Sequence, residues 1–503
     1  MLQPLYHLGR IGLVLLLFLS GCVSTLPVKE SLKIGPQPTL SQCTTLFSRL
    51  DKAVAQAETR DSQAAPIVGF PYLRSDRFLA RFRDKPLSDS QFVAWVDRLQ
   101  QRGEQGRKVE MDNLPPPVKS LFPPYKTVQQ CGNLLRKHDF SQPSNRQKLR
   151  ESVQVPSEYQ TWKRVLGLYW ITAWAIKLGV HNLHQEILET YRIPLAKLKV
   201  EGELLRYLPP EISEPLDAQE ISAIIQRSAS NPLAIPEPSG RETERLFAAF
   251  APVWQVDTLS RDDRIGAPVW LPAQDKPVVD TNRPTVYRHL SHTLFHGKIL
   301  LQLNYIVWFP ARPSSWALDI LGGHLDGLTW RVTLSPEGTP LAYDTIHNCG
   351  CYHLFYTTNQ VCLRPADGIL QEPPFSPQQA PELGPRQAPT LRIAHTTHFI
   401  DRVSKEPLNQ GQTLTYQWAD YQSLRSLPLE GGQRRSLFQP DGIVPGTQRG
   451  ERWILWPMGI PGPGEMRQWG HHATAFFGER HFDDPNLMER SLERSNDFCR
   501  VNN

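Results

Sequence analysis

Hydrophobic positions along this chain fall into three regimes. Ile11 to Leu19 is an unbroken apolar run of nine residues, less than half of the roughly 20 that a bilayer-spanning helix needs. From Cys43 to about residue 235, apolar residues recur at helical spacing, as in Thr44 to Gln56 and in Ser88 to Arg102, which predicts amphipathic helices. Leu114-Pro-Pro-Pro-Val and Phe122-Pro-Pro interrupt them, because proline removes a backbone donor and clashes with the preceding turn. From about Arg241 the spacing shortens. Ile299 to Phe309 alternates with period two and is rich in β-branched and aromatic residues, the pattern of a strand. It places Leu301, Leu303, Tyr305 and Val307 on one face, and Gln302 and Asn304 among the residues of the other.

The pattern therefore predicts an α+β protein, with a mainly helical region over 43–235 followed by an antiparallel β-rich domain over 241–503. Leu328 to Leu334 and Leu341 to His347 flank Ser335-Pro-Glu-Gly-Thr-Pro340, the punctuation of a hairpin. Glu242 to Phe250 and Asn486 to Ser495 read as short helices. Val253 to Val256, Thr390 to Ile400, Thr413 to Trp418 and Trp453 to Trp456 read as strands. A long helix is expected after Pro156-Ser157-Glu158. Its stretch Val165 to Ile176 has twelve uncharged residues bracketed by Lys163, Arg164 and Lys177, so it is too short to span a bilayer. A buried central helix is the expectation. A helix lying on a membrane surface, with Trp170 and Trp174 as anchors, is the alternative.

Composition sharpens this picture. Proline at 45 of 503 residues is well above the usual ~5 % and predicts long loops. The net charge of +5 is spread along the chain without a basic run, so nucleic acid is not an expected partner. No Gly-x-Ser-x-Gly, His-Glu-x-x-His or phosphate-binding loop occurs, which removes the common hydrolases and nucleotide enzymes.

The apolar run follows Arg10 and ends in Leu19-Ser20-Gly21-Cys22. A basic start, a short apolar segment and small residues at its end make an export leader. The Leu-Ser-Gly-Cys sequence resembles the lipobox of bacterial lipoproteins. That resemblance implies that residues 1–21 are removed, leaving 482 of 503, and that Cys22 carries a diacylglyceryl group, with an N-acyl chain such as palmitate. Several acyl chains hold a protein stably where one would not. Val23 rather than Asp follows the cysteine, which in that family favours the outer membrane. The expected location is thus the cell envelope facing the periplasm. Residues 22–42, with few large apolar side chains, read as a lipidated tether.

Export changes how the cysteines are read. Cys43, Cys131, Cys349, Cys351, Cys362 and Cys499 remain once Cys22 is set aside, an even number in an oxidising compartment, so disulfides are the first expectation. Cys43–Cys131 is the economical pairing in the N-terminal part. A second chemistry competes at His347-Asn-Cys349-Gly-Cys351-Tyr-His353. If extended, those four residues share a face, a donor set suited to zinc or copper. Same-face neighbours lie about 6.6 to 7 Å apart, so one ion requires a bend, which Gly350 can supply. His324 and Asp326, in the glycine-flanked Gly322 to Gly327, are further candidate ligands, although a turn is the first reading. His395 and His398 are expected on opposite faces of a strand, and His471, His472, His481 and Asp483 in an exposed loop.

These readings lead to a lipid-anchored envelope protein with a binding or assembly role at the membrane, its partners being the bilayer and an envelope protein. The alternative is a metal-dependent envelope enzyme using the histidines and cysteines of residues 289–353. Whether the protein is an enzyme stays open at this point.

Overall fold

The computed structural model describes residues 31–211, 216–272, 274–314, 319–384, 387–405 and 411–495. The fold is α+β, with helices mainly in the N-terminal half and antiparallel-rich sheets in the C-terminal half. Helix α1 (Leu40–Gln56) starts where Thr39 and Gln42 form a reciprocal capping box, and it turns Cys43, Leu46, Phe47 and Leu50 inward. A small hairpin, β1 (Ala65–Ile67) and β2 (Phe70–Ser75), precedes the short α2 (Arg77–Ala80). The long α3 (Asp89–Asn113), capped by Ser88, runs eleven residues beyond the predicted end at Arg102 and stops at Leu114-Pro. It crosses β2 so closely that a Cβ on Gly103 would lie 2.2 Å from the Tyr72 carbonyl oxygen. After the four-residue α4 (Pro116–Lys119), α5 (Tyr125–Asp139) and α6 (Pro143–Ser152) complete this part. A Cys43–Cys131 disulfide joins α1 to α5, as the spacing predicts.

The next helices correct an expectation. The stretch expected to form a buried central helix is broken into α7 (Thr161–Leu166) and α8 (Tyr169–Arg192), with Leu168 between them in a left-handed conformation. Only Ala173, Val180 and Tyr191 of α8 are buried, whereas Trp170, Ile171, Trp174 and Leu178 stand in solvent. Hydrophobicity reports that a side chain avoids water; it does not say that this chain supplies the cover.

Two sheets form the rest. Strand β3 (Glu203–Leu208) comes from within the region expected to be helical and pairs with β4 (Val253–Thr258), beyond α9 (Ala218–Ser228) and α10 (Gly240–Ala249). After the small pair β5 (Ala267–Val269) and β6 (Val278–Asp280) come β7 (Thr285–Phe295), β8 (Lys298–Arg312), β9 (Gly323–Leu334), β10 (Pro340–His347) and β11 (Leu354–Thr357). These last five pair in sequence as an antiparallel meander. Then follow β12 (Val361–Leu363), β13 (Thr390–Ile393), β14 (Ile400–Ser404), β15 (Thr413–Thr415) and β16 (Gln417–Asp420). The five-stranded sheet has the order β14-β13-β4-β3-β15, and β16 adds in parallel beside β7 to the six-stranded one.

Strand β8 obeys its period-two reading. Leu301, Leu303, Tyr305 and Val307 meet Trp254, Val256 and Tyr207 of the five-stranded sheet in the principal core. Gln302 and Asn304 are buried and pin the meander: Gln302 Nε2 donates to Thr333 Oγ1 at 3.0 Å, and Asn304 Nδ2 to the His289 carbonyl at 2.9 Å. Trp453 to Trp456, expected as a strand, instead begins α11 (Arg452–Leu455), where Leu455 N–H reaches back to the Glu451 carbonyl. Its Leu455 and the following Met458 form the seam that receives Ala173 and Val180 of α8. The two halves also share buried contacts. Asp61 binds Arg425 of the β-rich part through Oδ1 at 2.8 Å and Oδ2 at 2.6 Å, and Arg74 of β2 donates to the Asp61 carbonyl at 3.1 Å.

Candidate functional site

The chemistry-bearing residues gather at the end of the meander where β9 begins and β10 ends. Chain direction reverses there. The His347 N–H donates to the Cys351 carbonyl at 3.0 Å, and the Gly350 N–H to the His347 carbonyl at 2.7 Å. Gly350 makes this turn with φ of +96°, and a Cβ on it would lie 2.6 Å from the Ala473 carbonyl oxygen. Glycine is therefore required twice over, by conformation and by space. The bend that the sequence suggested is present, but it disperses the four candidate ligands rather than gathering them.

The two histidines go to different carboxylates, and the two thiols stay together. His353 is buried within the sheet, its Nε2 2.8 Å from Asp344 Oδ2, while Asp344 Oδ1 accepts from Arg331 Nε at 2.9 Å. Burial pushes the His353 imidazole down to about 4, only partly opposed by Asp344. Cys349 and Cys351 are free, buried thiols that lie beside each other, with the Cys351 N–H 3.4 Å from Cys349 Sγ. The hydrogen bond to Cys349 and burial push the Cys351 thiol well up, so it keeps its proton and is a poor nucleophile and ligand. His324 begins β9, with its Nε2 2.6 Å from the Pro277 carbonyl, and so lies in a strand rather than a turn. Cys362 is not a free thiol. Cys22 and Cys499 lie outside the described residues. Among the described residues, no three histidines, cysteines or carboxylates are arranged to hold a metal ion.

His347 and Asp326 do come together, and His398, expected on the far face of a strand, joins them with Asp263 and Arg449. Asp326 Oδ2 accepts from His398 Nδ1 at 2.8 Å, while its Oδ1 lies 3.5 Å from His347 Nδ1 and 3.5 Å from an Arg449 nitrogen. His398 Nε2 is 3.4 Å from Asp263 Oδ1, so this imidazole bridges two carboxylates. Its ring stacks on Phe309 with centroids 3.9 Å apart. Burial pushes the Asp326 carboxyl up, but Arg449 and the two imidazoles outweigh it and hold the group well below its ordinary value. Burial likewise disfavours a charged His398, yet Asp263 and Asp326 prevail and raise it. For His347 burial wins, and the ring is held neutral.

A carboxylate facing Nδ1 favours the proton on that nitrogen and leaves Nε2 basic. His347 Nε2 is buried without a hydrogen-bond partner, under the edges of Tyr352 and Phe399, each 5.2 Å away between ring centroids. The arrangement can accept a proton or orient a polar group. The backbone around it is strained. Of the eight non-glycine residues with positive φ among the described residues, Leu325, Tyr352, Thr396 and His398 all belong to this cluster. Such conformations cost of order 1–3 kcal/mol each and persist where surrounding structure over-determines them.

His395 and His398 are not in a strand, because β13 ends at Ile393 and the chain turns before β14. The strand reading hid the pairing of His398 with Asp326. His472 and His481 are buried and Asp483 is half-buried, rather than exposed, and His471 Nδ1 lies 2.9 Å from Glu158 Oε1 across the seam between the halves. His289 and His292 line a cavity of about 40 Å³ at that seam with Asp76, Arg102 and Asp483. That is room for a few water molecules. His296 is in a turn after β7 and donates its N–H to Glu489 at 2.6 Å. Compared with family models, curated proteins and solved structures, the chain matches none.

Proposed function

We propose that this is a lipid-anchored protein of the cell envelope, attached through Cys22 to the outer membrane on its periplasmic side, with a binding or assembly role there. The observation that carries this reading is the leader: a short apolar run closed by Leu19-Ser20-Gly21-Cys22. Two features of the body support it. No helix among the described residues is long and apolar enough to cross a membrane, so attachment falls to the lipid. The Cys43–Cys131 disulfide suits an oxidising compartment. The alternative, a metal-dependent enzyme of residues 289–353, draws less support. Its histidines diverge into separate networks, and the Cys351 thiol keeps its proton.

The test is the mass of the N-terminal peptide of the purified protein, together with fractionation. The peptide should begin at Cys22 and carry diacylglyceryl and acyl groups, and the protein should sediment with outer membranes. Cys22→Ala should carry no lipid. An unmodified Cys22 in the mature protein would refute the anchor.

A further inference from the structure

We infer that the wet side of α7, α8 and α11 is a membrane-docking surface that lies flat on an anionic bilayer. This rests on the proposed anchor at Cys22, which would place the body beside a bilayer. Trp162, Trp170, Trp174 and Trp453 are exposed by 59, 67, 52 and 72 %, the reverse of what large aromatic residues do on a folded surface. On α8, Trp170, Ile171, Trp174 and Leu178 fall within an arc of about 100°, whereas Ala173, Val180 and Tyr191 are buried on the other side, with Tyr169 and Ile176 packed beside the seam. The helix thus carries a second set of large apolar residues that nothing in the fold covers. Trp453 and Ile454 are likewise exposed on α11, whose Leu455 packs with Met458 in the seam under α8. The four tryptophans alone leave on the order of 500 Å² in solvent, already near the upper range for the largest apolar patch of a soluble monomer.

Charge selects the occupant. Lys163, Lys177 and Arg452 stand at the edge of this surface, each within 5.6 Å of the ring of Trp162, Trp174 or Trp453. No acidic residue occurs between Glu158 and Glu186. The acids that do approach are occupied or covered: Glu479 pairs with Arg164 at 2.6 Å, and Glu465 is buried. Tryptophan beside lysine or arginine is the composition of a membrane–water interface, where the ring sits at headgroup depth and the cation meets lipid phosphate. A second copy of this chain fits less well, since a two-fold contact would set these cations against themselves. The 17 residues between Cys22 and Leu40 reach at most about 60 Å, so a lipid on Cys22 keeps this surface within reach of the leaflet.

The test removes the lipid so that the surface acts alone. The Cys22→Ala chain, exported under a cleavable leader, is floated with phosphatidylcholine vesicles with and without about one third phosphatidylglycerol. The chain should float with the anionic vesicles, and less as salt rises. Trp162→Ser, Trp170→Ser, Trp174→Ser and Trp453→Ser together should lower partition about tenfold or more with an unchanged circular dichroism spectrum. Lys163→Gln with Lys177→Gln should remove most of the phosphatidylglycerol dependence, and this pair decides the matter if the tryptophan variant does not fold. A chain that stays in the soluble fraction overturns the inference, as does one that dimerises through these tryptophans and does not float. Failure of the anchor is seen separately, in the N-terminal peptide of the unmutated protein.

Discussion

Breaking the Cys43–Cys131 crosslink tests how the helical part is held together. The bond closes a separation of 88 residues. The loss of chain entropy in the unfolded state for a loop of that size is about 15 cal/mol/K, or about 4.6 kcal/mol at 25 °C. That is a ceiling, because a real unfolded chain is already compact and engineered deletions recover less than the full term. Both cysteines are fully buried between α1 and α5 among Leu46, Leu50 and Val128, so Cys43→Ala with Cys131→Ala leaves the apolar contacts largely in place. We expect a loss of about 3–4 kcal/mol, which for a unit of this size lowers the urea midpoint by on the order of 1–2 M. Equilibrium unfolding followed by tryptophan fluorescence, with hydrogen exchange in α1 and α5, measures it. Reduction of the unmutated protein must lower the midpoint by at least as much, because it also opens the bond of Cys362. A loss below about 1 kcal/mol, with the bond confirmed by thiol counting, would refute the argument that this crosslink acts by restricting the unfolded chain.

Two further outcomes follow from the buried charges. Asp344→Asn strands the Arg331 guanidinium, which is 1 % exposed, and should cost about 3–5 kcal/mol of stability. Arg331→Met with Asp344→Leu should cost less than the single change, and a double-mutant cycle by urea denaturation reads the difference; a costlier double variant would sink the reasoning. The His398 pair gives a pH dependence. Its folded-state value is raised, so its contribution is complete below its unfolded value of about 6.5 and is lost as pH rises through the folded value. Asp263 is held down to about 2 by hydrogen bonds from His398, Thr396 and Ser260 that outweigh burial, so its contribution is lost as pH falls from about 4 towards 2. The His398–Asp263 pair should therefore help most between about pH 4 and 6.5, read as the difference in thermal unfolding between the unmutated protein and the His398 variant. His398→Gln should flatten the alkaline limb, and an unchanged limb would count against the bridge.

What could be read in advance divides along physical lines. Strand β8 and the β9–β10 hairpin were legible because one period-two pattern and one Ser-Pro…Gly turn are local features, and local features are written in contiguous residues. The pairing of Cys43 with Cys131 was legible for a different reason: few partners were on offer. The pairing at the end of the sheet where β9 begins was not legible, for a physical reason. His398 pairs with Asp326 only because β13 stops at Ile393 and two residues, Thr396 and His398, accept left-handed backbone. Nothing in Thr390 to Ile400 marks that break, which the carboxylates of Asp263 and Asp326 supply from elsewhere in the chain. The Val165 to Ile176 stretch failed in the opposite direction. Its apolar content is local and was read correctly, but burial is a property of partners, and here the small Ala173 and Val180 meet the fold while the tryptophans face away. A helix of this kind is distinguished from a core helix by which residues line its seam. Here the seam is Ala173, Val180 and Tyr191, and Trp170, Ile171, Trp174 and Leu178 form a second apolar side, a surplus that periodicity alone does not assign to solvent.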